Sequence, residues 1–122
     1  MKLQLTRAEG RTLFTGYGEG YVKLNDERHE HNIVVAPDQP VQEWEPASFE
    51  ALTATHLRAL LQLNPEIVIL GTGAELRFPP RELFRVLAEA HVGFEIMDTK
   101  AACRTYNILM AEGRRVIAAI FV

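Results

Sequence analysis

Residues 116–122, with the sequence VIAAIFV, constrain the fold of this chain more than any other segment. These seven residues include no polar side chain, so a strand formed from them has two apolar faces. An apolar strand at the edge of a sheet would promote aggregation, and a central strand with neighbours on both sides is therefore predicted here. Residues 1–122 are predicted to form a single domain, because a chain of 122 residues with 48% hydrophobic content can bury its own core.

Helix and strand signals alternate in the part of the chain that precedes this strand. Thr53 is predicted to cap a helix, and Leu52 can pack on Leu57 to fix its first turn. The continuous apolar run Ile67–Leu70, which is rich in β-branched residues, then predicts a strand that is covered on both faces. The predicted elements are a helix from Thr53 to Asn64, a strand from Ile67 to Leu70, a helix starting near Pro80, a strand from Phe94 to Met97, and a helix capped by Asp98 or Thr99 and followed by Gly113.

The first third of the chain has the short apolar runs and turn residues that are typical of β-structure. Turns are predicted at Gly16–Gly20 and at Asn25-Asp26. The candidate strands are Leu3–Leu5, Arg11–Gly16, Tyr21–Leu24, Asn32–Val35 and Val41–Trp44. The order of elements predicts an α/β fold, in which helices cover a mixed sheet and an additional N-terminal β section packs beside it.

The composition disfavours several classes of function. The chain has 13 basic and 16 acidic residues, and Arg114-Arg115 is its one adjacent basic pair, so nucleic acid is disfavoured as a partner. No stretch approaches the roughly 20 apolar residues that a membrane span requires. The single cysteine, Cys103, cannot form a disulfide within the chain and fits a reducing compartment. A cytoplasmic location is therefore predicted.

Gly71-Thr72-Gly73, directly after a predicted buried strand, supplies the first half of a candidate ligand or partner pocket. Ligands of open α/β sheets bind beyond the carboxyl ends of strands, and glycines let a backbone approach an anion closely. The nucleotide-binding motifs do not match, because no Gly-Lys-Ser/Thr follows and Leu76 occupies the place of the third glycine. A tight turn explains the same glycines without a ligand.

Asp98-Thr99 and the helix that follows supply the second half of this pocket. The N–H groups of the first helical turn can either bond a capping side chain or bind an anion, and both interpretations stay open. Asn107 can also crosslink the helix to a neighbouring loop, since an asparagine within a helix needs a partner for its amide. The candidate pocket comprises Gly71, Thr72, Gly73, Asp98, Thr99, Arg104 and Asn107.

No catalytic residue, metal site or cofactor is assigned from the sequence. Cys103 lies in the second turn of the third helix, and no histidine is near it in sequence, although His56 or His91 could approach it in space as a general base. A buried packing role is favoured. His29 and His31 share a face if they lie on a strand, but no third metal ligand can be identified. These observations on Cys103 and the histidines together favour a protein that is not an enzyme.

Residues 97–116, with the sequence MDTKAACRTYNILMAEGRRV, resemble a known family, as does the earlier segment Ile69-Leu70-Gly71-Thr72-Gly73. This is the small uncharacterised-domain family that includes mitochondrial respiratory complex I assembly factor 3 and the adipogenesis-associated domain protein. The resemblance implies a three-layer α/β fold with a central mixed five-stranded sheet whose last strand is antiparallel to the others. It implies no known activity. No mitochondrial presequence is recognised, so a bacterial cytoplasmic member is expected.

Two functions follow from these observations. The first is a non-enzymatic protein-binding or assembly module, since the eukaryotic relative is thought to assist assembly through protein contacts. The second is a small-molecule or anion-binding protein, or an enzyme, that uses the Gly71-Thr72-Gly73 loop and the helix N-terminus at Asp98-Thr99. A deep polar cleft would favour the small anionic ligand, and an exposed apolar patch would favour another protein as partner.

Overall fold

A computed structural model of the chain describes residues 11–122. The predicted strand at Leu3–Leu5 lies outside the described residues. The elements in chain order are β1 (Phe14–Gly18), β2 (Tyr21–Leu24), β3 (Glu27–His29), β4 (Ile33–Val35), β5 (Gln42–Glu43), α1 (Ala54–Leu60), β6 (Ile67–Thr72), α2 (Arg85–Glu89), β7 (Gly93–Met97), α3 (Thr99–Ala111) and β8 (Val116–Phe121). Short 3-10 turns at Phe49–Ala51, Leu61–Leu63 and Arg81–Phe84 adjoin α1 and α2.

In the described part of the chain, the main sheet has five strands in the order β5-β4-β8-β6-β7. The apolar C-terminal strand β8 lies between β4 and β6, and every one of its residues is buried. The sequence-based prediction of a central C-terminal strand is therefore confirmed. The burial follows from its composition, because neither face of β8 carries a side chain that needs water.

The direction of β8 differs from the expectation drawn from the family resemblance. It runs parallel to β6, which is itself parallel to β7, and antiparallel to β4. The expectation that the last strand is antiparallel to the others is therefore wrong. The cause is the connection through α3, since a helical crossover returns the chain to the same end of the sheet and makes the next strand parallel.

Alternate side chains of β8 enter two separate cores, which confirms the three-layer arrangement. Ala118 and Ile120 join the core formed with α3, β1 and β2. Ile117, Ala119 and Phe121 join the core on the opposite face, formed with α1 and α2. The main sheet is therefore the middle layer, with α1 and α2 on one side and α3 with the small N-terminal sheet on the other.

The additional N-terminal β section is a three-stranded antiparallel sheet in the order β1-β2-β3. The predicted turn at Asn25-Asp26 is confirmed, and both residues have positive φ values of 49° and 68°. The predicted strand Arg11–Gly16 is displaced, because β1 continues to Gly18 and its register with β2 is irregular between Phe14 and Gly16. Strand β3 was not predicted, since its short polar sequence has no apolar alternation.

Local capping signals correctly predicted several helix boundaries. Thr53 caps α1, and its side chain and that of His56 bond reciprocally to each other's backbone N–H groups. Asp98 caps α3, and Gly113 follows the end of that helix with a φ of 84°. The helix predicted near Pro80 begins instead as a 3-10 turn, and the regular part of α2 starts at Arg85.

The central position of β8 predicts unequal effects of two isoleucine substitutions. Ile120 on β8 is fully buried, whereas Ile108 on the outer face of α3 is 59% exposed. Ile120→Ala should reduce the free energy of unfolding by about 2–5 kcal/mol, because it leaves a cavity in the core. Ile108→Ala should change it by less than about 0.5 kcal/mol. Urea unfolding of both variants measures the difference, and equal effects would contradict a central β8.

Candidate functional site

The loop after β6 is held in shape by the buried hydroxyl of Thr72. Its Oγ1 donates a hydrogen bond to the carbonyl of Glu75 at 2.6 Å and accepts one from the N–H of Arg77 at 3.2 Å. Gly73, the next residue, has a φ of 95°, a conformation that favours glycine. The tight-turn interpretation therefore accounts for the local geometry of Thr72 and Gly73.

Thr99 joins this loop to the central strand. Its Oγ1 donates to the carbonyl of Phe121 at 2.6 Å and accepts from the N–H of Gly73 at 2.9 Å. The N–H of Thr99 in turn donates to the carbonyl of Gly73 at 2.9 Å. The carboxyl ends of β6 and β8 and the start of α3 therefore meet at one buried hydroxyl. Both hydrogen-bonding functions of this hydroxyl serve internal partners.

Asp98 has the structural role that its position predicts. Its carboxylate accepts a hydrogen bond from the N–H of Ala101 at 2.9 Å, and its carbonyl accepts from the N–H of Ala102. The bond to the carboxylate satisfies an N–H group of the first helical turn that has no partner within the helix, and the carbonyl accepts the first regular bond of the helix. Asp98 thus positions the N-terminus of α3 beside the Gly73 loop.

Gly71 lies where α3 passes directly over β6, and a side chain at this position would be crowded. A Cβ atom at Gly71 would lie 2.8 Å from Cδ1 of Ile120, 3.1 Å from Oγ1 of Thr99 and 3.2 Å from Cβ of Ala102. Real Cβ contacts almost never fall below 3.0 Å. The glycine therefore permits the close approach of helix and strand that brings Thr99 to the loop.

Arg104 and Asn107 lie farther along α3 and join it to the small sheet. Nη1 of Arg104 donates to the hydroxyl of Tyr17 at 2.8 Å. The Asn107 amide accepts from the N–H of Phe14 at 2.9 Å and donates to its carbonyl at 2.8 Å, so it crosslinks α3 to strand β1 and not to a loop. Both side chains thus hold β1 against the helix.

Cys103 is fully buried within the core between α3 and the main sheet, as predicted. Burial raises the pKa of its thiol to about 12, because the thiolate would lose its hydration. The thiol is therefore protonated at neutral pH, and the protonated form is a poor nucleophile. The packing role that the sequence favoured is consistent with this environment.

A cavity of about 470 Å³ opens where the β1–β2 hairpin faces the start of α3. Gly73 and Thr99, from opposite halves of the candidate pocket, both line it. The other contributors include Tyr17, Lys100 and Val122. The remaining predicted pocket residues, which do not line this cavity, are Gly71, Thr72, Asp98, Arg104 and Asn107.

A second concave surface, which was not predicted from the sequence, lies beside the edge strand β7. The ring of Phe94 stacks on that of Phe84, with centroids 4.5 Å apart and planes 13° apart. Phe78 is 70% exposed, and Phe94 is 38% exposed. We call this surface the Phe78 groove, and the volume within it is about 440 Å³. Its lining consists of Phe78, Pro79, Arg81, Phe84, Arg85, Ala88, Phe94 and Ile96.

The groove was missed because its exposure depends on strand order. The apolar sequence of Phe94–Met97 indicated a strand, but sequence alone does not show that this strand lies at the edge of the sheet. Phe78 belongs to a segment without helical or strand periodicity, and no element was assigned to it. An aromatic residue directly before Pro79-Pro80 was the available signal, because the prolines disfavour regular structure there.

Within residues 11–122, no group of three or more His, Cys, Asp or Glu side chains is placed to hold a metal ion. Across that same range, no helix is both long enough and apolar enough to cross a membrane.

Comparison with solved structures supports the fold. A Bordetella parapertussis protein is 42% identical with a TM-score of 0.88, and the match covers 94% of this chain and 98% of that one. A Bordetella pertussis protein described as an Mth938-like domain is 36% identical with a TM-score of 0.82, covering 99% and 92% of the two chains. The three-layer α/β architecture with its five-stranded mixed sheet is thus shared with experimentally solved relatives.

Comparison with families and curated proteins confirms the resemblance drawn from the sequence. A family model described as "Protein of unknown function (DUF498/DUF598)" matches residues 14–121. The "13 kDa major membrane protein" of Francisella tularensis is 30% identical over 117 residues, which is 95% of each chain. The bovine "NADH dehydrogenase [ubiquinone] 1 alpha subcomplex assembly factor 3" is 32% identical over 84 residues, covering 67% of this chain and 46% of that protein.

The close contact at Gly71 predicts a difference between two glycine substitutions in neighbouring strands. Gly71→Ala should destabilise the protein by about 1–3 kcal/mol, because the new methyl group displaces Ile120 or α3. Gly93→Ala is the matched control, since its Cβ would meet its nearest neighbour, Cγ1 of Ile67, at an ordinary 3.7 Å. Thermal melts compare the two, and a Gly71→Ala variant as stable as Gly93→Ala would contradict the packing role.

Proposed function

The chain belongs to the family described as "Protein of unknown function (DUF498/DUF598)", and from this membership and the geometry above we propose that it is a non-enzymatic module that binds another protein. It is related to a complex I assembly factor, whose name implies protein partners. Matches to a Francisella protein over 95% of each chain, and to a Rhodobacter protein over 86% of this chain and 80% of that one, support a bacterial source. The cytoplasmic location predicted from the sequence stays part of this proposal.

The observation that carries the proposal is the Phe78 groove. A phenylalanine that is 70% exposed keeps most of its ring in water, and burying such a side chain contributes about 1.5–3 kcal/mol. The lining combines aromatic rings with Arg81 and Arg85, and aromatic residues and arginine are enriched at protein interfaces. Of the residues that the structure describes, none with a carboxylate lines the groove. Its composition therefore suits a protein partner.

The polar groups singled out by the sequence support a binding module rather than an enzyme. The hydroxyls of Thr72 and Thr99 are engaged in internal hydrogen bonds, and Asp98 caps α3. The thiol of Cys103 is buried and protonated at neutral pH. A nucleophile needs a base within hydrogen-bond reach, and none of these groups has that arrangement.

A small anionic ligand is the second candidate, and the cavity beside the Gly73 loop favours it. Its volume of about 470 Å³ falls within the usual range of small-molecule sites, and its lining includes the positive charge of Lys100 together with the negative charge of Glu19. The N–H groups of Gly73 and Lys100 are probes of this cavity. Titration with inorganic phosphate, followed at these two amide resonances, separates the anion-binding function from the protein-binding function. Phosphate bound in the cavity should shift both resonances, whereas protein docking at the Phe78 groove would involve the other end of the loop.

Substitution of Phe78 should remove partner binding without unfolding the protein. We expect tagged wild-type protein to capture at least one protein, from a lysate of the organism that encodes it, that Phe78→Glu does not capture. Ile108→Glu is the matched control, since Ile108 is 59% exposed on α3, across the sheet from the groove. Quantitative mass spectrometry compares the captured sets, and thermal melts verify folding. Identical sets for all three proteins would contradict the proposal.

A further inference from the structure

The outer edge of β7 presents main-chain hydrogen-bonding groups. Among residues 11–122 this strand is the last in the sheet, and it pairs on one side with β6. The N–H of Gly93 donates to the carbonyl of Glu66, so the main-chain groups of Gly93 point towards β6. Main-chain directions alternate along a strand, and the N–H and C=O groups of Phe94 and Ile96 therefore point to the outer edge.

The two edges of the main sheet differ in protection. At one edge, β5 has two residues, both exposed, and Pro40 lies just before it. Short strands, charges and prolines are the usual means of preventing a sheet from extending. At the other edge, β7 has five residues in continuous register with β6 and contains no proline. The β7 edge is therefore the one suited to accept another strand.

The Phe78 groove runs beside this edge. Phe94 and Ile96, whose main-chain groups point outwards, also contribute their side chains to the groove. A segment extended along β7 would therefore bond to the main chain of these residues and place alternate side chains over the groove. Glu95 lies on the opposite face of the strand, because side chains alternate.

The lining of the groove includes two arginines and, among residues 11–122, no acidic residue. Arg81 and Arg85, four residues apart and both exposed, line it. Within residues 11–122 neither forms an ion pair, whereas Arg28, Arg77, Arg114 and Arg115 each pair with a carboxylate. The chain as a whole has a net charge of −3, so this local excess of arginine favours an acidic partner.

We propose that an extended acidic segment of a partner protein binds along β7 and adds a sixth strand to the sheet. In this segment, acidic and aromatic side chains alternate with neutral ones, and the acidic and aromatic side chains lie over the Phe78 groove. This inference rests on the proposed protein-binding function and specifies its partner. On the opposite face, Glu95 disfavours acidic residues, which is why the intervening side chains are neutral.

A second copy of the chain fits this edge less well. Antiparallel pairing of two β7 strands about a twofold axis places the same face of both sheets on one side. The Arg81 and Arg85 side chains of the two copies would then approach one another, and juxtaposed like charges oppose association. The charge of the groove therefore selects an acidic segment over self-association.

The test uses the whole protein and designed peptides in fluorescence anisotropy. The peptide TETFTET presents Glu, Phe and Glu on one face when extended, and TKTFTKT reverses its charge. We expect TETFTET to bind the wild-type protein at least about tenfold more tightly than TKTFTKT. The double variant Arg81→Glu, Arg85→Glu should invert this preference. Equal binding of the two peptides, or a preference that the double variant does not alter, would overturn the proposal.

A matched charge change controls for the net charge of the protein. Lys23 and Arg28 are paired cross-strand neighbours in the small sheet, away from β7. The double variant Lys23→Glu, Arg28→Glu changes the total charge by the same amount as the groove variant. It should leave the preference for TETFTET in place. A loss of preference equal to that of the groove variant would show that binding follows overall charge, which contradicts a defined site.

N-methylated peptides test the strand geometry itself. In an extended peptide, alternate amides point towards β7, and the others point away. Methylation of the Glu and Phe amides should block an antiparallel segment, whereas methylation of the Thr amides should block a parallel one. Strand addition requires that one methylated set loses binding while the other retains it. Equal effects of the two sets would overturn strand addition.

The outcomes separate this inference from the function on which it rests. If TETFTET does not bind but Phe78→Glu still loses a captured protein, strand addition by an acidic segment is wrong and protein binding at the groove stands. If neither effect is seen, both proposals fail. Self-association of the free protein that Phe78→Glu abolishes would overturn the acidic-segment proposal in favour of a second copy.

Discussion

The side chains of β8 alternate between two apolar cores, so neither outer layer can be removed without exposing this strand. One core contains α3 and the small N-terminal sheet, and the other contains α1 and α2. Because β8 occupies the centre of the described sheet, the two edge strands, each paired on one side only, are β5 and β7. The burial of one strand thus determines where the molecule can accept a partner strand, and the shortness of β5 leaves β7 as the open edge.

The residues that resembled a ligand site mainly hold the layers together. Thr99 bonds the loop after β6 to the last carbonyl of β8, and Gly71 allows α3 close enough for that contact. Asn107 and Arg104 then attach α3 to β1. A cluster of small and polar residues at the carboxyl ends of parallel strands can therefore be selected for packing as well as for binding. The proposed function correspondingly depends on a surface elsewhere.

Local signals predicted local features, and long-range pairing decided the rest. The cap at Thr53, the turn at Asn25-Asp26 and the two-faced burial of β8 each depend on neighbouring residues or on composition, and the sequence predicted them. The parallel direction of β8 depends on how α3 crosses the sheet. The exposure of Phe94 depends on strand order. Of the candidate pocket, Gly73 and Thr99 do meet at one cavity, but helical geometry carries Arg104 and Asn107 towards β1.

Residue-resolved amide hydrogen exchange tests the central claim most directly, namely that the sheet has a closed centre at β8 and an open edge at β7. The amides of Ala118 and Ile120 should exchange only when the whole protein unfolds, because β8 is paired on both sides. The outward amides of Phe94 and Ile96 should exchange orders of magnitude faster in the free protein. Protection of Phe94 and Ile96 equal to that of β8 would show that the edge is already covered and would contradict the account.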